Sequence, residues 1–270
     1  QQNQLEEASD AYFAAAYINP TLAAPHLELA RVAKKQHALV EAERHAQKAT
    51  ELDPTSHEAY CYLGFILHEQ ERFSEAVAAY EMALALKPDY AEALNNAGHA
   101  LNRLDRYAEA AQHLRRGTEL APNLPEPFFN LGVAYFNCGA YPEALVALNQ
   151  ALALRPGWNE PRWWRALTWL VQGEFAKGWE DYPTRFSDTN LPPRLLPFPP
   201  WRGGSLHGHT ILVYAEQGVG DEIMFASCLP DLIKMGGRCI VECDPRLVRL
   251  FSRSFPDAHF VAASDMNDGE

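Results

Sequence analysis

Between Ala23 and Asp181 small, large and polar positions recur every 34 residues, in rows that begin at Ala23, His57, Ala91, Pro125 and Asn159. Column 8 of these rows holds Ala30, Gly64, Gly98, Gly132 and Ala166, and column 20 holds Ala42, Ala76, Ala110, Ala144 and Gly178. Residues that small predict two antiparallel helices per row whose backbones approach with no side chain between them. Large residues surround the contact, with Phe73, Tyr107, Tyr141 and Phe175 in column 17 and Tyr80, Leu114 and Leu148 in column 24. Column 32 is Pro54, Pro88, Pro122 and Pro156. A proline cannot continue a helix, so each second helix ends before it.

Upstream, Leu5, Ala8, Tyr12, Ala15 and Pro20 fall on columns 17, 20, 24, 27 and 32, which predicts that residues 4–20 are the second helix of a repeat whose first helix is missing. The last row departs from the pattern, with Arg162 and Arg165 at apolar positions. After it the pattern changes twice. Residues 183–204 carry six prolines and predict an extended connector, tacked to a neighbouring surface by Phe198 and Trp201. From residue 205 a buried strand TILVYA, a glycine loop, an amphipathic helix to Met235 and a second strand RCIVEC predict a parallel βαβ unit. A further helix over 246–254 and a strand over 259–262 would begin a doubly wound sheet.

The recurring small, aromatic and proline columns over residues 4–182 resemble the tetratricopeptide repeat family. The fold class expected is an α superhelix, a tetratricopeptide solenoid over 1–182, followed by a partial α/β Rossmann-like domain over 205–270. The resemblance implies a concave face lined by the first helix of each repeat, taking a protein or peptide. Its groove columns place Arg31, Lys34 and Lys35 at one end, then Tyr62 and Phe65, then Asn95, Asn96, His99, Asn102 and Arg103, then Phe129, Asn130, Val133 and Phe136. Basic, polar and aromatic sections in that order suit a ligand that is part acidic and part apolar. The cations also read as a plain solvated helix face, and the asparagines either as hydrogen-bonding groups for a peptide backbone or as polar filler. Glu92, Glu126 and Glu160 stand where the family's carboxylate clamp requires lysine, which disfavours a receptor for chain-terminal carboxylates. All six tryptophans lie between 158 and 201, and are read as packing between the last repeat and the segment after it.

In the loop after TILVYA, Gly218, Gly220 and Asp221 sit at the carboxyl end of a strand, where open α/β sheets bind ligands. The third glycine of a dinucleotide fingerprint is missing. Asp221 reads either as a helix N-cap or as a general base. The stretch AEQGVGDEIMFASCLPDL resembles the start of the glycosyltransferase-like domain that follows tetratricopeptide repeats in many bacterial proteins, and is similar to the first Rossmann half of heptosyltransferases of the GT-B fold. That resemblance implies Asp221 as a base beside an acceptor hydroxyl, with Gly218 and Gly220 near the acceptor. It also implies a nucleotide sugar held mainly by a second half beyond this chain, so these residues alone hold no cofactor and are inactive. The competing expectation is a non-catalytic adaptor whose α/β segment is a structural cap or an oligomerisation surface.

Composition narrows the partners. Over 270 residues, 35 acidic against 23 basic side chains give a net charge of -12, which repels phosphate backbones and disfavours nucleic acid. No apolar run approaches the roughly 20 residues of a membrane span, and the polar start lacks a signal sequence, so a cytoplasmic location is expected. The odd set of cysteines, Cys61, Cys138, Cys228, Cys239 and Cys243, lacks a C-x-x-C pair and predicts packed thiols with no metal site. A homo-oligomer is left open as a further partner.

Overall fold

The computed structural model describes residues 2–187, 196–201, 203–214 and 218–263. Backbone proximity divides the chain into two compact units, residues 1–193 and residues 194–270.

The first unit is a helical superhelix. Helix α1 (Gln2–Ile18) precedes five helix pairs: α2 (Ala23–Lys35) with α3 (Leu39–Leu52), α4 (His57–Glu69) with α5 (Phe73–Leu86), α6 (Ala91–Arg103) with α7 (Tyr107–Leu120), α8 (Pro125–Asn137) with α9 (Tyr141–Leu154), and α10 (Asn159–Val171) with α11 (Phe175–Asp181). The 34-residue period therefore sets the boundaries of α2 to α10 and the start of α11, which ends early at Asp181. Its small column works differently from the expected backbone-to-backbone contact. A Cβ on Gly64 would lie 2.7 Å from the Tyr80 ring and one on Gly132 2.6 Å from Leu148 Cγ, and one on Gly98 would collide with Leu114. In the three central pairs column 24 thus fills the space column 8 vacates, and Tyr80, Leu114 and Leu148 are almost fully buried as a result.

The turn within each pair supplies a column the sequence reading overlooked. Column 15 is His37, Glu71, Asp105, Gly139 and Gly173, and all five have a left-handed backbone, with φ of 61°, 60°, 59°, 75° and 78°. Each turn closes a Schellman motif: Arg72 N donates to Leu67 O at 2.9 Å and Glu71 N to His68 O at 2.9 Å, and the other four pairs repeat this. A left-handed residue with a Cβ costs roughly 1–2 kcal/mol, part of which glycine returns as unfolded-chain entropy. Glu71→Gly is therefore expected to raise stability by about 0.5–1 kcal/mol, read as a higher urea midpoint at unchanged slope. A lower midpoint would show that the Glu71 side chain matters more than its backbone.

The divergent last pair has its own fastening. Arg165 Nε donates to Asp181 Oδ2 at 2.7 Å and its Nη1 to Asn149 Oδ1 at 2.7 Å, so the arginine at an apolar column ties α10 to both α11 and α9. The connector does not start extended: Tyr182–Ser187 form a 3-10 turn, which Pro183 tolerates because the first residues of a turn need no N–H partner. Trp163 and Trp179 meet the Tyr182 ring at 5.1 and 4.7 Å. Phe198 and Trp201, expected to tack the connector down, are 49% and 45% exposed.

The second unit carries strands β1 (Thr210–Tyr214), β2 (Arg238–Cys243) and β3 (His259–Ala262) in the order β1-β2-β3, all parallel, with Leu212 opposite Ile240 and Ile240 opposite His259. The expected single crossover helix is broken into α12 (Val219–Phe225), a 3-10 turn (Ala226–Cys228) and α13 (Leu229–Lys234). Pro230 has no N–H for the Ala226 carbonyl, and its ring crowds that carbonyl, so the helix restarts. Helix α14 (Pro245–Ser254) comes next, capped by Asp244. Leu229 of α13 and Leu247 and Phe251 of α14 pack on Val241, Cys243 and Phe260, one face of the sheet. This falls short of the doubly wound sheet expected: both crossovers step the same way along the sheet, and helices reach the second face only where the strand order reverses. Cys61, Cys239 and Cys243 are buried, whereas Cys138 and Cys228 are exposed and so are not packed thiols.

Candidate functional site

The first helices α2, α4, α6, α8 and α10 lie side by side and present the expected groove columns. At the N-terminal end the basic section is largely neutralised. Arg31 Nη1 donates to Glu28 Oε1 at 2.9 Å while its guanidinium lies 5.7 Å from the Tyr62 ring centroid, and Lys34 Nζ sits 3.5 Å from Glu69 Oε2 and 4.9 Å over Phe65. Both cations lean on the aromatic rings of the next helix and each has an acidic partner; Arg31 is exposed, as a solvated face would have it, and Lys34 is half-buried. Lys35 is exposed.

The polar centre is a knitted seam between α6 and α8. Asn130 Nδ2 donates to Asn95 Oδ1 at 3.0 Å, Asn95 Nδ2 to Asn96 Oδ1 at 3.3 Å, and Asn102 Nδ2 to the Asn130 carbonyl at 2.9 Å. Asn102 and Asn130 are buried, 9% and 7% exposed. They act as fasteners between repeats, which removes Asn102 from the set of ligand-facing groups and leaves Asn95 and Asn96 half-buried at the surface of the seam. Beside them the His99 ring meets that of His68 at a tilt of 42°, with centroids 4.7 Å apart. Burial, then the neighbouring His68 and Arg103, push the His99 imidazole down to about 4. Arg103 lies 4.5 Å over the Phe73 ring.

The C-terminal section is aromatic and deeper than the sequence reading made it. Phe129 meets Trp158 at 4.8 Å, Phe136 meets Trp164 at 5.2 Å and Tyr141 at 5.7 Å, and Arg155 lies 4.6 Å over Trp158. Val133, between the two phenylalanines in the sequence, is half-buried. Trp158 and Trp164 therefore continue the groove, while Trp163 and Trp179 do the end-packing expected of the whole cluster. The signal was available: Trp164 occupies column 6, the column of Tyr62, Asn96 and Asn130.

In the second unit Asp221 lies in the first turn of α12, yet the N-cap is Gly218, with φ -72°, and no side chain caps it. The capping role expected for Asp221 is thus not taken. Glu222 does the joining, its Oε2 accepting from Asp244 N at 2.8 Å and linking α12 to the start of α14. Among the described residues a Cβ on Gly218 or Gly220 would meet nothing within 4 Å. Residues 215–217 lie outside the described residues.

Comparison with known proteins identifies the repeats. Residues 45–78 and 104–170 match models described as tetratricopeptide repeat, and residues 66–105 match one described as TPR repeat. This part of the chain consists of tetratricopeptide repeats. Over 103 residues the chain is 37% identical to Protein FlbA of Caulobacter vibrioides, a match that covers 36% of this chain and only 17% of that relative. Among solved structures it resembles YrrB, described as a TPR protein with an unusual peptide-binding site (24% identity, 66% of this chain and 92% of that one, TM-score 0.59). It also resembles MamA (19% identity, 59% and 93%, TM-score 0.55) and the MamA fragment of Desulfovibrio magneticus RS-1 (18%, 62% and 97%, TM-score 0.57). At these identities the likeness is one of fold. Among the described residues no helix is long and apolar enough to cross a membrane.

Proposed function

We propose that this chain is a protein-interaction scaffold whose concave face holds an extended peptide segment, anchored by apolar or aromatic side chains against α8 and α10. The carrying observation is the pair of aromatic contacts Phe129–Trp158 and Phe136–Trp164, which set four large rings along one section of the groove. Aromatic anchors in a groove supply most of the binding energy of such interfaces. With Arg31 and Lys34 already partnered, the acidic part of the ligand expected from the sequence loses its support, and an apolar or neutral segment fits better. Peptide selection on the purified chain, followed by titration, tests this. Phe136→Ala and Trp164→Ala are each expected to weaken the selected peptide roughly 10- to 100-fold, and Lys35→Ala by less than about 2-fold. Equal losses for all three variants would place the binding surface elsewhere.

The resemblance of the second unit supports a finer reading, in which the scaffold delivers its partner to a glycosyltransferase-like domain of Rossmann type in a longer protein. In that reading Asp221 is the base, Gly218 and Gly220 give the acceptor open access, and the donor is a nucleotide sugar held beyond this chain. That a Cβ on either glycine meets no described atom within 4 Å favours it. Transfer by the longer protein that is abolished in Asp221→Asn supports this role; transfer unaffected by that substitution removes it and leaves the adaptor reading.

A further inference from the structure

We propose that His26 and His45 form a proton-gated latch that holds α1 on the first helix pair at neutral pH and releases it in acid. The two imidazoles stack with centroids 5.4 Å apart and planes 27° from parallel, and their Nδ1 atoms are 3.1 Å apart. Two Nδ1 atoms at that distance share one proton. Arg44 Nη2 lies 3.3 Å from His45 Nε2. A guanidinium only donates, so His45 Nε2 accepts and the His45 proton is on Nδ1. From there it is donated to His26 Nδ1, which leaves the His26 proton on Nε2. The chain from Arg44 through His45 to His26 fixes every proton and has no place for another. A proton added at His26 Nδ1 would set two N–H groups face to face, and one added at His45 Nε2 would oppose Arg44.

The groups around the pair favour the neutral state. His45 is 5% exposed, and Arg44 and Lys48 bring positive charge from α3. Glu41, also on α3, opposes them from 3.8 Å, but it is 46% exposed and is shared with Arg44 at 3.4 Å. Among the described side chains of α1 the group against His45 is the Phe13 ring, edge-on at 5.6 Å. Burial first, and the cations after it, hold both imidazoles below their ordinary range. Among the described side chains of α1, residues 9–18, none is buried, so the contact at His45 is a large share of what holds this stretch.

Amide hydrogen exchange on the whole chain reads the latch directly. After correction for intrinsic exchange, protection in α1 is expected to fall roughly ten-fold or more between about pH 7.5 and pH 5 while α9 changes little. His45→Phe keeps a ring against Phe13 without the proton, and is expected to make α1 protection independent of pH. Arg44→Met leaves His45 Nε2 free to take a proton while Nδ1 still donates to His26, so the fall in α1 protection is expected to shrink; an undiminished fall counts against the latch. Imidazole NMR titration of the unaltered chain serves if His45→Phe fails to fold. Protonation of His26 or His45 with α1 protection intact overturns the latch, as does a pH dependence that survives in His45→Phe.

Discussion

Gly132→Ala is expected to destabilise the repeat array by about 2 kcal/mol, whereas Gly117→Ala is expected to stabilise it by up to about 1 kcal/mol. Both glycines are helical and both gain the same helix propensity from alanine. They differ in what the added methyl meets. At Gly132 it would lie 2.6 Å from Leu148 Cγ, 2.7 Å from its Cδ2 and 3.4 Å from its backbone N, and Leu148 is fully buried with no room to swing away. At Gly117 the nearest atoms are Leu94 Cβ at 3.7 Å and Asn95 N at 3.8 Å, which is ordinary packing. Leu148→Ala alone should cost about 3 kcal/mol through the cavity it leaves. Combined with Gly132→Ala it should cost clearly less than the sum, because the new methyl enters that cavity. Urea unfolding of the four variants checks this. Additive losses, or a stabilising Gly132→Ala, would mean that columns 8 and 24 do not interlock.

Acidification from pH 7 to pH 4 is expected to remove at most about 3 kcal/mol of stability through His99 alone. Its imidazole is depressed in the folded chain to about 4, from an ordinary 6.5, chiefly by burial. Between those two values the unfolded chain binds the proton and the folded chain does not. Stability from this group is therefore complete above about pH 6.5 and is lost progressively as the pH falls toward 4. His68 and His113 shift in the same direction and for the same first cause, so they add to the slope. Unfolding free energies measured across this range should fall, and His99→Leu should fall less steeply. A profile unchanged by that substitution would assign the acid sensitivity to other groups.

How legible the site was depended on what each residue touches. Column 8 announced a close contact because a glycine in a helix has a local cost that only a close neighbour repays, but not that the side chain of column 24 fills the space; the proline column announced the helix ends because proline cannot continue a helix. Column 15 went unnoticed because three of its five residues are His37, Glu71 and Asp105, which carry no glycine signal although their backbones are left-handed. In the groove, residue type fixed the candidates but not their state. Arg31 and Lys34 read as free charge until Glu28 and Glu69 were seen beside them. Asn102 read as a ligand group until its amide was found on the Asn130 carbonyl.

The sequence by itself determined the period, the helix pairs and their ends, and the parallel strands, because these arise from local sterics and from side chains repeated at fixed spacing. Only the tertiary structure decided which polar groups are spent within the protein and which remain for a partner. It alone brought Trp158 and Trp164 onto Phe129 and Phe136, and set His26 against His45. Those pairings depend on the distance and angle at which separate helices pack, and burial and charge at such contacts are set by the neighbours that packing delivers.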